Sequence, residues 1–233
     1  MSSVMPAEPV SLQVRVNEKE EVSALMLAPS ESRAAFVFAH GAGAGMRHPF
    51  MESLAQALAQ RRVATMRFQF PYMEKRLKRP DTPALAQAAV RAAVAEASRK
   101  MPGIPVFAGG KSFGGRMTSQ AQAQAPMSGV LGLIFVGFPL HPAGNPSMQR
   151  ADHLELVKAP MLFLQGTRDA LADLGLVRAV VARLGNRATL VTFEDADHSF
   201  HVPKKSDSND TQVLQALAEA MVNWMTAAAL GTA

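Results

Sequence analysis

The sequence has 233 residues, of which 48% are hydrophobic and only 18% are charged. This balance excludes an intrinsically disordered, collagen-like or coiled-coil protein. The chain contains no cysteine, which excludes disulfide scaffolds, cysteine nucleophiles, iron–sulfur clusters and thiolate zinc sites. Lysine and arginine number 24 against 19 aspartate and glutamate residues, so the formal net charge is +5.

The excess positive charge is concentrated in two places, the pair Arg61–Arg62 and the stretch 75–79. A nucleic-acid-binding face usually extends further and carries interleaved aromatic side chains, whereas this chain has one Trp and one Tyr. We therefore interpret the basic residues as a solvated surface and expect no nucleic-acid partner.

The sequence predicts neither a signal peptide nor a membrane span. Residues Met1–Glu8 have no basic region and no apolar stretch. The longest apolar run, 130–140, is too short to cross a bilayer, which takes about 20 residues. Together with the absence of cysteine, this leads us to expect a soluble, cytoplasmic protein.

Beyond the N-terminal stretch, predicted strands and helices alternate. The predicted strands are 11–16, 22–27, 34–39, 64–68, 105–108, 129–137, 160–165 and 188–193. The predicted helices are one whose apolar face is Met51, Leu54, Ala55 and Leu58, and then 83–100, 114–125, 171–184 and 210–229. This alternation favours an α/β fold with a mostly parallel sheet covered by helices on both faces. No repeat or linker interrupts it, so residues 1–233 are predicted to form one domain.

Three stretches lack a clear pattern: 71–81, 139–151 and 202–209. The first two follow the ends of predicted strands. Open α/β sheets bind their ligands at such strand ends.

The sharpest motif is G-x-S-x-G, formed by Gly110, Lys111, Ser112, Phe113 and Gly114. A predicted strand precedes it and a predicted helix follows it, which is the context that a nucleophilic serine in this motif requires. The reversal of the chain strains the serine, and the glycines let the strand and the helix approach closely. The helix N-terminus favours developing negative charge. We predict Ser112 as a nucleophile.

Gly110, Lys111 and Ser112 also match the end of a phosphate-binding P-loop. That motif requires a glycine five positions before Gly110, where this chain has Pro105. The residues between them have the pattern of a strand, so we reject phosphate binding. In a chain with 16 glycines, the G-x-S-x-G motif can also arise by chance. Whether the chain also provides a base and an acid for the serine distinguishes these two interpretations.

A nucleophilic serine needs a histidine base, which in turn needs an orienting carboxylate. In this strand–turn–helix context the acid, and then the histidine, follow the serine along the chain. His198 lies in a polar turn between the last predicted strand and the last predicted helix, and we predict it as the base. His201 is the next candidate, whereas His141 and His153 come too early in the order.

Asp169 directly follows the predicted strand 160–165 and is the predicted acid. Asp173 is expected inside the following helix with its side chain facing solvent. Asp197 adjoins His198 but can hardly turn back to the ring of its neighbour, so we expect it to act as a turn residue or a helix cap.

Two backbone amides are expected to bind the oxyanion of the tetrahedral intermediate. One belongs to Phe113, the residue after the nucleophile, and the other to the loop that follows the strand 34–39. In that loop Ala42 is our first candidate and Gly43 our second. His40 precedes the nucleophile, so we interpret it as a structural support of the loop.

The elements H-G-A-G, G-K-S-F-G-G-R, G-T-R-D and D-H-S-F occur in this order, and the chain from about Leu25 onward resembles the small serine α/β-hydrolases related to dienelactone hydrolase. The resemblance implies the α/β-hydrolase fold, with Ser112 as nucleophile, Asp169 as acid and His198 as base. Dienelactone hydrolase itself uses a cysteine, which this chain lacks, so lactone specificity is not carried over. Only residues 139–157 separate the strands between which larger lipases insert a lid, so we expect little or no lid.

These observations predict an esterase-like serine hydrolase that needs no metal or organic cofactor and acts on a small-molecule ester. An apolar pocket for its substrate is predicted from Phe70, Tyr72, Met73, Phe138, Leu140 and Met148. The alternative is a non-catalytic interaction module on the same fold, with the stretch 75–79 as its docking surface. The presence of a full set of triad candidates argues against that alternative. The sequence does not indicate the oligomeric state.

Overall fold

The computed structural model of the protein describes residues 8–231. Eight strands form one sheet in the order β1-β2-β4-β3-β5-β6-β7-β8. The strands are β1 (Val10–Arg15), β2 (Glu21–Leu27), β3 (Ala34–Ala39), β4 (Val63–Phe68), β5 (Val106–Lys111), β6 (Val130–Val136), β7 (Met161–Gly166) and β8 (Ala188–Phe193). β2 pairs antiparallel with β1 and β4, and all other neighbours pair parallel.

Six α-helices cover the two faces of the sheet. They are α1 (Pro49–Ala59), α2 (Pro71–Glu74), α3 (Pro83–Lys100), α4 (Phe113–Gln124), α5 (Leu174–Leu184) and α6 (Asp210–Ala229). Buried apolar side chains of α3, α4 and α5 belong to one cluster, and those of α6 with most of those of α1 belong to another. The predicted α/β fold, a mostly parallel sheet between two layers of helices, is confirmed.

The strand β3 shows why the central strands read as uninterrupted apolar runs. All six of its residues are buried. Successive side chains of a strand point to opposite faces, so Phe36 and Phe38 join the cluster under α1 and α6, whereas Val37 joins the other. A strand covered on both faces therefore has no polar alternation in its sequence.

The strand β5 continues for three residues beyond its predicted end at residue 108. Glycine is disfavoured in strands, and the predicted strand ends before Gly109. In the fold, a Cβ at Gly109 would lie 1.8 Å from the carbonyl oxygen of Ile134. The glycine is there because the neighbouring strand passes too close for any side chain.

Two further differences concern stretches near the carboxyl ends of strands. The predicted helix 171–184 begins only at Leu174, because the side chain of Asp173 caps it and accepts the N–H of Leu176 at 2.9 Å. The unpatterned stretch 71–81 contains α2, and the stretch 139–151 runs into a 3₁₀ helix, Gln149–Leu156. Short helices of this kind have too few turns to produce a periodic pattern.

Within residues 8–231, no helix is both long and apolar enough to span a membrane. The prediction about a signal peptide falls on residues 1–8, of which 1–7 lie outside the described range. The organisation of the whole chain as one domain stays a prediction.

The carboxyl ends of β3, β5, β7 and β8 lie at one edge of the sheet, and all the candidate residues of the triad and the oxyanion hole follow them.

Candidate active site

Ser112 occupies the turn between β5 and α4 with φ of 51° and ψ of −114°. A positive φ is uncommon for a residue with a side chain and costs conformational energy. Its N–H donates to the carbonyl of Val136 at 3.2 Å, and its carbonyl accepts the N–H of Arg116 at 3.1 Å. These bonds hold the strained residue between β6 and the first turn of α4.

The two glycines of the motif permit this sharp turn. A Cβ at Gly110 or at Gly114 would lie 2.4 Å from the carbonyl oxygen of Ala39, the last residue of β3. Both contacts are closer than a Cβ tolerates. The glycines therefore allow the turn to pack directly against the end of β3, where the loop with the oxyanion-hole candidates begins.

His198 lies between Ser112 and Asp169. Its Nε2 is 2.8 Å from Oγ of Ser112, and its Nδ1 is 2.7 Å from Oδ2 of Asp169. An ionised carboxylate only accepts hydrogen bonds, so Nδ1 carries the proton and Nε2 is free to accept the serine hydroxyl. The three candidates predicted from the sequence are therefore brought into one hydrogen-bonded chain with the geometry that general-base catalysis requires.

The carboxylate of Asp169 is fully buried, whereas the His198 side chain is 22% exposed. Besides His198, the carboxylate accepts the N–H of Leu171 at 2.8 Å and the side-chain amide of Gln165. The carbonyl oxygen of that amide accepts the N–H of Phe138 at 3.0 Å, which fixes its orientation. Three donors thus compensate the burial of the charge.

The competing acids have other partners. Asp173 caps α5 instead of lying inside the helix as predicted, and it is exposed to solvent as expected. It also donates its own N–H to Nε2 of His141 at 2.8 Å. Asp197 accepts the N–H groups of Ser199 at 2.7 Å and His201 at 3.0 Å, as expected for a turn residue.

The competing histidines also lie elsewhere. His201 forms a second His–Asp pair, with Nδ1 2.8 Å from Oδ2 of Asp210, and both side chains are more than half exposed. The hydrogen bond to Asp210 raises the pKa of His201. His153 is hydrogen-bonded through Nε2 to Ser119 at 2.8 Å, and burial lowers its pKa to about 4. Both have protein partners other than Ser112.

His40 supports the loop after β3 from inside the protein. Its Nδ1 lies 2.7 Å from the carbonyl of Gly41 and donates to it, while its Nε2 accepts the N–H of Phe70 at 3.1 Å. Burial lowers the pKa of His40 to about 4. The ring is therefore neutral, with both nitrogens engaged by backbone groups, which matches the structural role expected from the sequence.

Tyr72 holds the same loop from α2. Its hydroxyl accepts the N–H of Gly43 at 2.9 Å, and burial raises its pKa. Gly43 thus has a protein acceptor for its N–H. Ala42 and Ser112 line one cavity. Phe113 is the first residue of α4, where the backbone N–H has no acceptor within the helix. The assignment of the oxyanion hole to the N–H groups of Ala42 and Phe113 stays a prediction.

A cavity of about 360 Å³ opens beside Ser112. The described residues that line it are small, apolar or basic, with no carboxylate among them. They are Gly41, Ala42, Ala44, His48, Phe50, Met51, Lys111, Ser112, Leu171, His198 and Ser199.

The predicted substrate pocket needs correction. Phe70, Tyr72, Phe138 and Leu140 are each 2% exposed or less and belong to the apolar core. They do not line the cavity at Ser112. Aromatic residues after strand ends appeared in the sequence as candidate binding residues, but here they pack inward and support the loops. Met73 and Met148 likewise pack against the core and not in this cavity.

Sequence reasoning gave no role at the site to Gln165 or Lys111, and it placed Tyr72 in the substrate pocket instead. Gln165 binds the acid, Tyr72 holds the loop after β3, and Lys111 lines the cavity. Lys111 stands inside the G-x-S-x-G motif at a position where the motif accepts any residue. Gln165 is the one polar residue of an otherwise apolar strand, a signal that could have marked it for attention.

Comparison with known proteins identifies the family and the fold. Residues 32–226 match the family model described as an alpha/beta hydrolase domain. The structure is similar to that of a dienelactone hydrolase from Anabaena variabilis, with a TM-score of 0.76 and 21% identity over 95% of this chain and 98% of that one.

Two other solved structures are also similar. One is a lid-less α/β serine hydrolase from Xanthomonas campestris, with a TM-score of 0.71 and 21% identity over 96% of this chain and 98% of that one. The other is an esterase domain from a Rhodothermus marinus protein, with a TM-score of 0.71 and 16% identity over 95% of this chain and 98% of that one. At such identities the similarity establishes a shared fold.

Proposed function

The chain belongs to the alpha/beta hydrolase domain family, and from this premise we propose that it is a serine hydrolase that cleaves small carboxylic esters through an acyl-enzyme on Ser112. The observation that carries the proposal is the continuous chain from Asp169 through His198 to Ser112, with distances of 2.7 and 2.8 Å. Nucleophile, base and orienting acid are then in contact before any substrate arrives.

Acylation begins when Oγ of Ser112 attacks the ester carbonyl carbon and its proton passes to Nε2 of His198. Asp169 stabilises the imidazolium that forms. The carbonyl oxygen becomes an oxyanion, which accepts the N–H groups of Phe113 and Ala42. When the intermediate collapses, the bond to the alcohol breaks and His198 protonates the leaving oxygen.

Deacylation repeats these steps with water as the nucleophile. His198 takes a proton from water, and the hydroxide attacks the acyl carbon. The bond to Oγ of Ser112 then breaks, and His198 returns the proton to the serine. The products are an alcohol and a carboxylic acid, and no cofactor takes part in this sequence of steps.

Labelling with a fluorophosphonate probe tests this proposal directly. Intact-mass measurement should show one adduct on the wild-type protein, formed with loss of fluoride, and none on Ser112→Ala. A matched control is Ser199→Ala, since Ser199 lines the same cavity and only its backbone N–H is bonded to Asp197. A folded wild-type protein that is not labelled and cleaves no ester would contradict the proposal and favour a non-catalytic interaction module.

A further inference from the structure

Lys111 connects the nucleophile to the base by a route that does not pass through the triad. It is the last residue of β5 and directly precedes Ser112. Its ammonium donates a hydrogen bond to the backbone carbonyl of His198. One side chain therefore links the residue before the nucleophile to the main chain of the base.

The ammonium also lies against two aromatic rings. It is 5.9 Å from the ring centre of Phe50 and 5.4 Å from that of Phe200. These two rings stack on each other, with centres 6.0 Å apart and planes inclined by 15°. Cations are attracted to the faces of such rings, so the lysine joins α1, the end of β5 and the loop that carries the base.

Space for this arrangement is provided by Gly137, which follows β6. A Cβ at Gly137 would lie 3.1 Å from Nζ of Lys111 and 3.6 Å from Cε1 of His198. The backbone thus leaves room for both groups at the same point.

The charge of Lys111 is costly to keep in this position. Burial lowers the pKa of the amine to about 8, although the carboxylates of Asp169 and Asp197 act in the opposite direction. Within residues 8–231, none of the ion pairs includes Lys111. An apolar side chain of similar length would avoid the desolvation cost, so stability does not account for a lysine here.

Apart from Ser112, Asp169 is the one hydrogen-bond partner of the His198 ring among residues 8–231. The loop around the base is bonded within itself, where Asp197 accepts the N–H groups of Ser199 and His201. It is also bonded to the segment after β7, where Arg168 donates to Ala196. The ammonium of Lys111 adds a hydrogen bond from the strand that carries the nucleophile to the main chain of the base, so it restricts movement of His198 relative to Ser112.

We propose that Lys111 is a positioning residue, which keeps Nε2 of His198 on Oγ of Ser112 by anchoring the main chain of the base to the end of β5. This inference rests on the proposed function. It assigns to Lys111 no contact with the reacting atoms.

The substitution Lys111→Met removes the ammonium and keeps most of the apolar stem. We expect kcat for p-nitrophenyl acetate to fall about 10- to 100-fold, the loss typical of a misplaced catalytic group, with KM within about twofold of the wild type. Lys100→Met is the matched control, because Lys100 is an exposed residue at the end of α3. It should leave both constants unchanged.

A pH profile separates positioning from a merely structural role. Below about pH 8 the amine is charged and holds the loop, and as the pH rises through about 8 the charge is lost. The charged or titratable groups around it are Asp169, Asp197 and His198. The wild-type kcat should therefore decline above about pH 8, and this decline should be absent in Lys111→Met and in Lys111→Arg, which stays charged.

Thermal unfolding gives the second discriminating measurement. The melting temperature of Lys111→Met should equal or exceed that of the wild type at pH 7, since the buried charge is removed. Wild-type kcat in Lys111→Met, or an alkaline decline that persists in both variants, would overturn the inference. If Lys111→Met does not fold, the profile of Lys111→Arg decides alone.

A readout that does not require turnover keeps this inference distinct from the proposed function. The Nδ1 proton of His198 can be followed by ¹H–¹⁵N NMR in selectively labelled protein. Its exchange with water should be at least several-fold faster in Lys111→Met than in the wild type or in Lys100→Met. Equal exchange would refute the positioning role whether or not the protein cleaves esters. Failure of fluorophosphonate labelling in the wild type would refute only the proposed function.

Discussion

Nε2 of His198 lies 2.8 Å from Oγ of Ser112, although 86 positions of sequence separate the two residues. No single turn or helix contains both residues. Ser112 projects from the turn after β5, and His198 from the loop after β8, at the opposite side of β6 and β7 in the sheet order. The contact exists because parallel strands bring their carboxyl ends to one edge, where loops from separate strands meet.

The identity of the acid is tested by Asp169→Asn. An amide in place of the carboxylate favours the wrong tautomer of His198, and the comparable change in the reference serine protease lowers kcat by about 10⁴-fold. We expect a loss of several orders of magnitude in ester hydrolysis, measured on protein whose folding is verified by circular dichroism.

Asp173→Asn and Asp197→Asn are the controls for this change. Asparagine caps helices about as well as aspartate, and it keeps the oxygen that accepts the turn N–H groups at position 197. Both variants should retain most activity. Collapse of activity in one of them, with a near-normal rate in Asp169→Asn, would move the acid to that residue.

The second His–Asp pair gives a test of the base. His201→Asn should leave kcat within about twofold of the wild type, because His201 contacts Asp210 at the surface. His198→Asn should lower kcat by several orders of magnitude, since Ser112 then has no general base. Side-by-side rates on one ester distinguish the two histidines, and equal losses would contradict the assignment.

Tyr72→Phe should weaken the loop that carries Ala42. The substitution removes the hydroxyl that accepts the N–H of Gly43 and keeps the buried ring. Loss of one hydrogen bond costs about 1 kcal/mol, so we expect a small decrease in the free energy of unfolding.

If that loop supplies an oxyanion donor, its loosening in Tyr72→Phe should reduce kcat about tenfold with little change in KM. Affinity for a boronic-acid analogue of the tetrahedral intermediate should fall in parallel with kcat/KM. An unchanged kcat in Tyr72→Phe would show that this hydroxyl does not control the loop.

Acyl-chain preference tests the size of the site. The cavity beside Ser112 measures about 360 Å³, and the chain from β6 to β7 has little room for a lid. Each added methylene can contribute about 0.8 kcal/mol of binding only where a pocket receives it. We expect p-nitrophenyl acetate and butyrate to be cleaved faster than the decanoate. A steady rise of kcat/KM beyond about eight carbons would show that the site extends further.

Local pattern accounts for much of the fold. The apolar run 34–39 and the helices 83–100 and 210–229 have the bounds predicted for them, because strand and helix periodicity is written in neighbouring residues. The same is true of Ser112, since a serine flanked by glycines between a strand and a helix is a local feature. The order of strands and helices then indicated which later acid and histidine to choose.

The tertiary structure decided what depends on distant neighbours. Periodicity marks a residue as buried or exposed, but it does not say which chain segment covers it. The aromatic residues Phe70 and Tyr72 appeared as pocket candidates. Only the packing shows that they face the core and that the Tyr72 hydroxyl accepts the N–H of Gly43. The motif accepts any residue at position 111, so sequence reasoning assigned Lys111 no role. Only the fold shows that its ammonium donates to the carbonyl of His198. Sequence thus determined the chemical groups and their order along the chain. Long-range packing determined which of them meet, because a contact between residues 86 positions apart leaves no local pattern.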